Sequence, residues 1–132
     1  MAYEVGQKAS FSKTVTEYDV YGFAGITGDF NPVHVNAVAA EQSMFKKRIA
    51  HGILAVGLIS TVLGQKLPGN GTIYLSQQAK FKKPVYLGDT LTATAEIIEV
   101  REKGRLLLRT YVENQDGEIV VDGEAEVIAP RS

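Results

Sequence analysis

The chain has 132 residues, of which 45% are hydrophobic and 22% charged, as expected for one globular domain with its own core. Fourteen basic and fifteen acidic residues nearly cancel, so the charge balance argues against nucleic acid as the main partner. The absence of cysteine excludes disulfides, thiolate nucleophiles and cysteine-bound metals.

No targeting or membrane segment is expected from the sequence. Its opening residues, MAYEVGQKAS, lack the basic stretch and apolar run of a secretory signal. The longest apolar run, residues 52–64, is well short of the roughly 20 residues that span a bilayer. We therefore expect a single domain over residues 1–132, with no membrane partner and a cytoplasmic location.

The first elements are a strand and a helix. Residues 8–15, KASFSKTV, alternate weakly between apolar and polar side chains, which predicts a strand. Thr16 followed by Asp19 forms a capping-box pattern, and apolar residues then recur at helical spacing. Gly28 is a typical helix stop, so the sequence predicts a helix between Thr16 and Gly28.

Two further helices are predicted before the middle of the chain. Residues 36–45 form a short one, with Asn36 as its N-cap. Residues 51–67, HGILAVGLISTVLGQKL, are apolar around the whole helical circumference, so this helix should be buried on most sides.

Everything after Pro68 has the pattern of β-structure. Alternation and turn residues predict strands within residues 71–81, 90–100, 105–114 and 118–130. In the first of these, Ile73, Leu75, Ala79 and Phe81 are expected on one face.

The predicted fold is α+β, with about five antiparallel strands wrapped around one long apolar helix. One such sheet leaves a side of the helix uncovered and its own edge strands unpaired. A second copy sharing a sheet edge would remedy both, so we expect a homodimer. This arrangement resembles the hot-dog fold.

The stretch TGDFNPVH places Asp29 and His34 five residues apart. A helix would separate them by about 140° of rotation. However, Pro32 keeps Asn31 out of the α region after the stop at Gly28, and the resulting turn can bring the two side chains together. The alternative is that Asp29 is simply a turn residue that bonds its own backbone.

The start of the long helix offers another candidate. His51 is interpreted as a helix-start residue packed at the core edge. Gly52 exposes a backbone N–H at the positive end of the helix dipole, which suits it to bind a polarised carbonyl oxygen. The alternative for Gly52 is close helix packing, helped by Gly57 and Gly64.

A stripe along the long helix follows Gly52. Val56 and Ser60 lie on it at spacings of four and eight, and Leu63 comes next. Ser60 has no nucleophile-elbow context, and a bond back to its own helix is the alternative.

Other sites are weaker predictions. The two histidines and one nearby acid match no known zinc spacing, so no metal site is expected. Residues 64–72 resemble a phosphate loop but have Asn70 in place of the lysine. Two basic clusters, residues 45–48 and 80–84, are either solvated surface or phosphate-binding sites. Arg48, Lys82 and Lys83 are the candidates for binding phosphate.

Three segments together resemble a known family. TGDFNPVH, AHGIL and PVYLGDTL are similar to the MaoC-like branch of hot-dog proteins, and closely to the (R)-specific enoyl-CoA hydratases. The Gly-Asp-x-Asn-Pro-x-His element of that family is complete here, with Thr27 where a serine is often seen. The resemblance implies catalytic roles for Asp29 and His34 and an oxyanion role for the Gly52 amide. The expected pocket includes Asn31, and the acyl tail is expected to run along the stripe of Val56, Ser60 and Leu63.

The implied reaction is water addition to a trans-2-enoyl-CoA, giving the (R)-3-hydroxyacyl-CoA, reversible as a dehydration. His34 is expected to act as base and Asp29 as proton donor. The bulk of Leu63 favours short substrates such as crotonyl-CoA, and no cofactor beyond the substrate's coenzyme A is expected. Fatty acid metabolism and polyhydroxyalkanoate precursor supply are the implied settings. The alternatives are a hot-dog acyl-CoA thioesterase and a non-catalytic acyl-thioester-binding subunit.

Overall fold

The computed structural model describes residues 2–131, in which helices precede most of the sheet. The elements are β1 (Lys8–Thr14), α1 (Glu17–Thr27), α2 (Pro32–Val35), α3 (Ala37–Glu41), α4 (Gly52–Gln65), β2 (Ile73–Phe81), β3 (Thr90–Val100), β4 (Arg105–Glu113) and β5 (Ile119–Ile128), with a 3₁₀ turn at Glu102–Gly104. The five strands form one antiparallel sheet in the order β1-β3-β4-β5-β2.

The sheet packs against α4, and the core lies between them. Alternate residues of β3, β4 and β5 are buried, as expected for strands with one face on a core. The helix contributes Ala55, Val56, Leu58, Ile59, Val62 and Leu63 to the same core. The predicted hot-dog arrangement of a sheet around a long apolar helix is confirmed.

One side of α4 remains uncovered in the single chain. Ile53, Gly57 and Ser60 are exposed, while the other residues from 54 to 64 are buried or half-buried, as the sequence predicted. The apolar circumference of the helix therefore exceeds what one sheet can cover. None of the helices within residues 2–131 combines the length and the apolar character needed to cross a membrane.

The helix boundaries follow the predicted caps. The Thr16 side chain accepts from Asp19 N–H and the Asp19 side chain accepts from Thr16 N–H, which completes the capping box of α1. Gly28 ends the helix with a φ of 83°, a left-handed conformation that favours glycine.

The third helix is shorter than predicted. Asn36 caps α3 as expected, but the helix ends at Glu41 and does not reach Phe45. The Ser43 hydroxyl donates to Ala40 O and accepts from Phe45 N–H, a local pattern that competes with helical bonding.

The prediction that Ile73 shares a face with Phe81 is wrong. A bulge between Tyr74 and Ser76 inserts Leu75 as an extra residue, so the alternation of β2 changes phase there. Ile73 therefore lies on the outer face of the sheet, while Ala79 and Phe81 share the inner face.

The strands β2 and β5 approach each other unusually closely at one point. A Cβ added to Gly123 would lie 1.8 Å from the carbonyl oxygen of Gln78. Position 123 therefore has no space for a side chain while β2 keeps this path.

Candidate active site

The turn residues within 27–34 give a separate one-turn helix, not a continuation of α1. The Asn31 side chain caps α2 by accepting from Val33 N–H at 3.2 Å, and Pro32 occupies its first position. His34 lies on this helical turn, and Asp29 lies on the loop before it. The predicted turn after Gly28 is confirmed.

This turn brings the acid and the imidazole together. One carboxylate oxygen of Asp29 and one ring nitrogen each of His34 and His51 lie within 4.8 Å of one another. His34 is 8% exposed, whereas Asp29 is open to solvent. The pair therefore joins a buried ring to an accessible carboxylate at the edge of a cleft.

A hydrogen bond sets the tautomer of His34. Its Nδ1 lies 2.7 Å from the carbonyl oxygen of Ile49, which can only accept, so Nδ1 carries the proton and donates. In the neutral ring, Nε2 is then left with a lone pair. The geometry therefore suits His34 to act as a base.

The loop bonds of Asp29 use only part of its carboxylate. Oδ1 accepts from Asn31 N–H at 3.2 Å, as the turn-residue interpretation expects. The Asp29 N–H donates to the Thr27 hydroxyl at 3.2 Å, and that hydroxyl donates to Phe23 O. The turn role and a chemical role are compatible, because Oδ2 has no hydrogen bond among the described residues.

Gly52 provides an open amide at the first position of α4. As the first residue of the helix, Gly52 has no carbonyl of the preceding turn to which its N–H could donate. Within residues 2–131 its N–H donates to no other acceptor. A Cβ at this position would lie 2.7 Å from Cδ1 of Phe81, so the Phe81 ring packs directly over the glycine. The close packing that the alternative expected at Gly52 is therefore present, but Gly57 and Gly64 do not contribute to it, because a Cβ at either would contact nothing within 4 Å.

These groups share a cleft of about 500 Å³. Its walls are mostly apolar with a few polar groups, an arrangement suited to a small acyl ligand with a polar head. Of the predicted site residues, the cleft is lined by Asp29, His34, Gly52, Lys82 and Lys83.

Arg48 is not brought to this cleft. Its guanidinium donates to Glu17 Oε1 and to the Tyr21 hydroxyl, both at 2.6 Å, and it borders a different groove. The hydrogen bond with Glu17 raises the pKa of Arg48 above its ordinary value. The structure thus separates Arg48 from the two lysines with which the sequence grouped it.

The predicted helical stripe is divided between core and solvent. Val56 and Leu63 are buried in the core, Leu63 at 1% exposure, while Ser60 is exposed. None of the three borders the cleft, and Asn31 serves as the cap of α2. Their role in an acyl pocket stays a prediction.

Sequence reasoning missed one bond of the site. His51 is buried at the start of α4 as predicted, but its Nε2 lies 2.9 Å from the backbone oxygen of Asp29. The local sequence does not identify a bonding partner 22 residues away. The signal was the unusual choice of an imidazole at an N-cap, where Ser, Thr, Asp or Asn are preferred.

The same cleft contains the side chains that could coordinate a metal ion, namely Asp29, His34 and His51. One ring nitrogen of each histidine is already bonded to a backbone carbonyl, so each offers one nitrogen at most. The absence of a metal site stays a prediction from the sequence.

Comparison with known proteins places this geometry in context. The family model described as "MaoC like domain" matches residues 2–118. The (R)-specific enoyl-CoA hydratase of Rhodospirillum rubrum is 50% identical over 126 residues, covering 95% of this chain and 87% of the relative. The 3-hydroxybutyryl-CoA dehydratase of Methylorubrum extorquens is 43% identical over 131 residues, covering 97% of this chain and 82% of the relative.

A solved structure agrees over the whole fold. The (R)-hydratase from Aeromonas caviae involved in PHA biosynthesis superimposes with a TM-score of 0.95 at 44% identity. The match covers 98% of each chain. The sheet, α4 and the helical turns that hold the cleft therefore share one architecture with that enzyme.

Proposed function

The chain belongs to the MaoC-like domain family, and we propose that it catalyses (R)-specific hydration of trans-2-enoyl-CoA to (R)-3-hydroxyacyl-CoA, reversible as a dehydration. The observation that carries this is the convergence of Asp29 and His34 in a cleft that also contains the Gly52 amide. The names of the similar hydratase and dehydratase agree with the reaction in its two directions.

The first step is polarisation of the thioester. The Gly52 N–H donates to the thioester oxygen at the positive end of the α4 dipole. Negative charge that develops on this oxygen is stabilised, and the β-carbon of the enoyl group becomes electrophilic.

The second step adds water across the double bond. Nε2 of His34 removes one proton from a water molecule, whose oxygen bonds to the β-carbon. Asp29, present as the carboxylic acid, gives its proton to the α-carbon on the same face, and the electron pair held on the thioester oxygen re-forms the carbonyl bond. Transfer of the proton from His34 to Asp29 resets both groups, so the net change is one water added.

The reaction adds water with no net oxidation or reduction. We propose that coenzyme A enters as part of the substrate and that no separate cofactor takes part. The free lone pair on His34, fixed by the bond to Ile49, supplies the base that the chemistry needs.

We propose short acyl chains as the substrates, with crotonyl-CoA as the reference. The 43% identical relative is named for a four-carbon hydroxyacyl-CoA, which supports this range. A series of enoyl-CoA esters from four to eight carbons, compared by kcat/KM, tests it, and an optimum at eight carbons would refute it.

We propose a homodimer joined at β2. This edge strand has one neighbour in the sheet, and it exposes Ile73 and Phe81, each at 55%. The other edge, β1, presents lysine, serine and threonine side chains instead. An apolar edge beside the uncovered side of α4 fits a second copy of this chain.

The activity is tested with crotonyl-CoA and the purified chain. Hydration removes the enoyl absorbance without releasing thiol, and chiral analysis of the product should give the (R) alcohol. Release of thiol would indicate a thioesterase instead. Binding without either change would indicate the non-catalytic subunit.

A further inference from the structure

The mechanism leaves one buried side chain of the site without a role. His51 is 2% exposed and is the N-cap residue of α4, yet its side chain makes no capping hydrogen bond. Ser, Thr, Asp or Asn at this position would give the helix an additional bond. The start of the helix therefore does not explain an imidazole here.

The ring is turned instead toward the loop that holds the proposed proton donor. Nε2 of His51 donates to the backbone oxygen of Asp29 at 2.9 Å, since a carbonyl can only accept. The other bonds of Asp29 run to residues within two positions along the chain. Among the described residues, His51 thus makes the one hydrogen bond that ties Asp29 to a distant element.

The same ring supports the proposed base. The ring centroids of His51 and His34 lie 3.9 Å apart with planes 30° from parallel, and Phe23 packs on His51 at 4.8 Å. The bond from Nδ1 of His34 to Ile49 restrains that ring at one atom, and the contact with His51 restrains its plane. Because Gly52 is the next residue, His51 connects the donor, the base and the oxyanion amide.

The second nitrogen of His51 indicates its charge. Nδ1 is the one buried side-chain nitrogen or oxygen within residues 2–131 that has no hydrogen-bond partner. With the proton on Nε2, Nδ1 is only an unused lone pair, whereas a second proton would create a buried charge with an unpaired N–H. The surroundings therefore favour a neutral ring with Nε2–H, which leaves His34 as the imidazole that accepts the proton of water.

We propose that His51 is a positioning residue of the hydratase. As a neutral imidazole it holds Asp29 by the backbone and His34 by the ring face, so that both meet one water beside the Gly52 amide. This inference rests on the proposed function. It goes beyond packing, because it requires a donated hydrogen bond and a defined tautomer.

Two variants separate the hydrogen bond from the packing. His51→Phe keeps an aromatic ring against His34 but cannot donate, whereas His51→Gln keeps an N–H near the position of Nε2. Misplacement of a catalytic group by about 1 Å costs on the order of 100-fold, so His51→Phe should lower kcat roughly 10- to 100-fold with KM little changed. His51→Gln should recover most of that loss.

Phe23→Leu is the matched control, because Phe23 packs on the same ring without bonding Asp29. It should keep the wild-type kcat and the pH profile of kcat/KM. In His51→Phe the profile should shift, because Asp29 and His34 no longer hold their relative positions. Wild-type turnover in His51→Phe, or equal losses in the Phe and Gln variants with both folded, would overturn the proposal.

A second measurement does not depend on activity. The chain has two histidines, so ¹⁵N spectra of wild type and His34→Gln assign both rings. We expect a neutral Nε2–H ring for His51 under the conditions of the activity assay, and a cationic or Nδ1–H ring would contradict the proposal. If the wild type did not hydrate crotonyl-CoA, the proposed function would fail, while these spectra would still decide the hydrogen bond to Asp29.

Discussion

At the scale of single residues, Asp29 and His34 illustrate how one loop can serve structure and chemistry together. One oxygen of Asp29 completes the turn by accepting from Asn31 N–H, while the carboxylate stays within reach of the His34 ring. The turn-residue interpretation and the catalytic interpretation therefore describe different atoms of the same side chain.

Asp29→Asn and His34→Gln should each lower kcat by about 10²–10⁴, the usual contribution of general acid–base catalysis. Each change keeps the approximate shape and hydrogen bonding of the residue but removes its proton-transfer capacity. Steady-state kinetics with crotonyl-CoA measures the loss, and thermal unfolding checks that the fold survives.

The double variant gives a stricter test of the pair. If both groups act on one water as a unit, the double variant should be barely slower than either single variant. Multiplied losses would show that the two residues act independently. A near-normal rate in the double variant would eliminate the mechanism.

Lys82 and Lys83 should bind the phosphates of the coenzyme A moiety unequally. Lys83 forms an ion pair with Glu118 at 2.5 Å, whereas no ion pair of Lys82 occurs in the described part of the chain. Lys82→Ala should raise KM roughly three- to tenfold, near 1 kcal/mol of lost uniform binding, and leave kcat nearly unchanged. Lys83→Ala should have a smaller effect.

Arg48→Ala is the control for the lysine variants, because Arg48 pairs with Glu17 and Tyr21 away from the cleft. Its KM should equal that of the wild type. A rise in KM for Arg48→Ala alone would place the phosphates in the other groove.

At the scale of elements, α1 determines where the catalytic loop begins, and its capping box holds that helix start. Burial alone would raise the pKa of Asp19, but hydrogen bonds from Lys13 and Thr16 outweigh it and lower the pKa below 3.8. Because the pKa is lowered on folding, the ionised carboxylate stabilises the fold at pH values above the ordinary pKa, and this stabilisation is lost as the pH falls through the lowered pKa.

Asp19→Ala should therefore cost about 1 kcal/mol near pH 7, a decrease in Tm of roughly 3–5 °C for a domain of this size. The difference from wild type should narrow as the pH falls below 3.8, where Asp19 takes up its proton. Thermal unfolding between pH 7 and pH 2.5 tests this. A difference that stays constant would show that the charge of Asp19 makes no contribution.

The elements also show what the sequence could predict. Caps at Thr16, Gly28 and Asn36 act within a few residues, so the starts of the helices and the end of α1 were predictable. The bulge at Leu75 depends on pairing with β5, some 50 residues later, and alternation alone cannot indicate it. The bond of His51 to Asp29 is likewise tertiary, so local patterns predicted its burial and not its partner.

At the scale of the whole molecule, the unpaired apolar edge of β2 and the uncovered side of α4 lead to a prediction about assembly. Leu75→Glu would place a charge on that edge and should convert the dimer to a monomer at micromolar concentration. Sedimentation velocity measures the change. Lys8→Glu on the polar β1 edge is the control and should remain dimeric.

A wild-type chain that sedimented as an active monomer would refute the dimer. It would also show that the exposed stripe of Ile53, Gly57 and Ser60 is stable in water without a partner.

The close approach at Gly123 has a consequence for variation in this protein. Any single-base change of a glycine codon that alters the residue adds a side chain, and here the first added carbon would collide with the backbone at Gln78. A library of all single substitutions should therefore show position 123 as intolerant as Asp29, although no part of the proposed chemistry occurs there. The two kinds of intolerance can be told apart by solubility: variants at 123 should be lost from the folded fraction, whereas those at 29 should accumulate as folded, inactive protein.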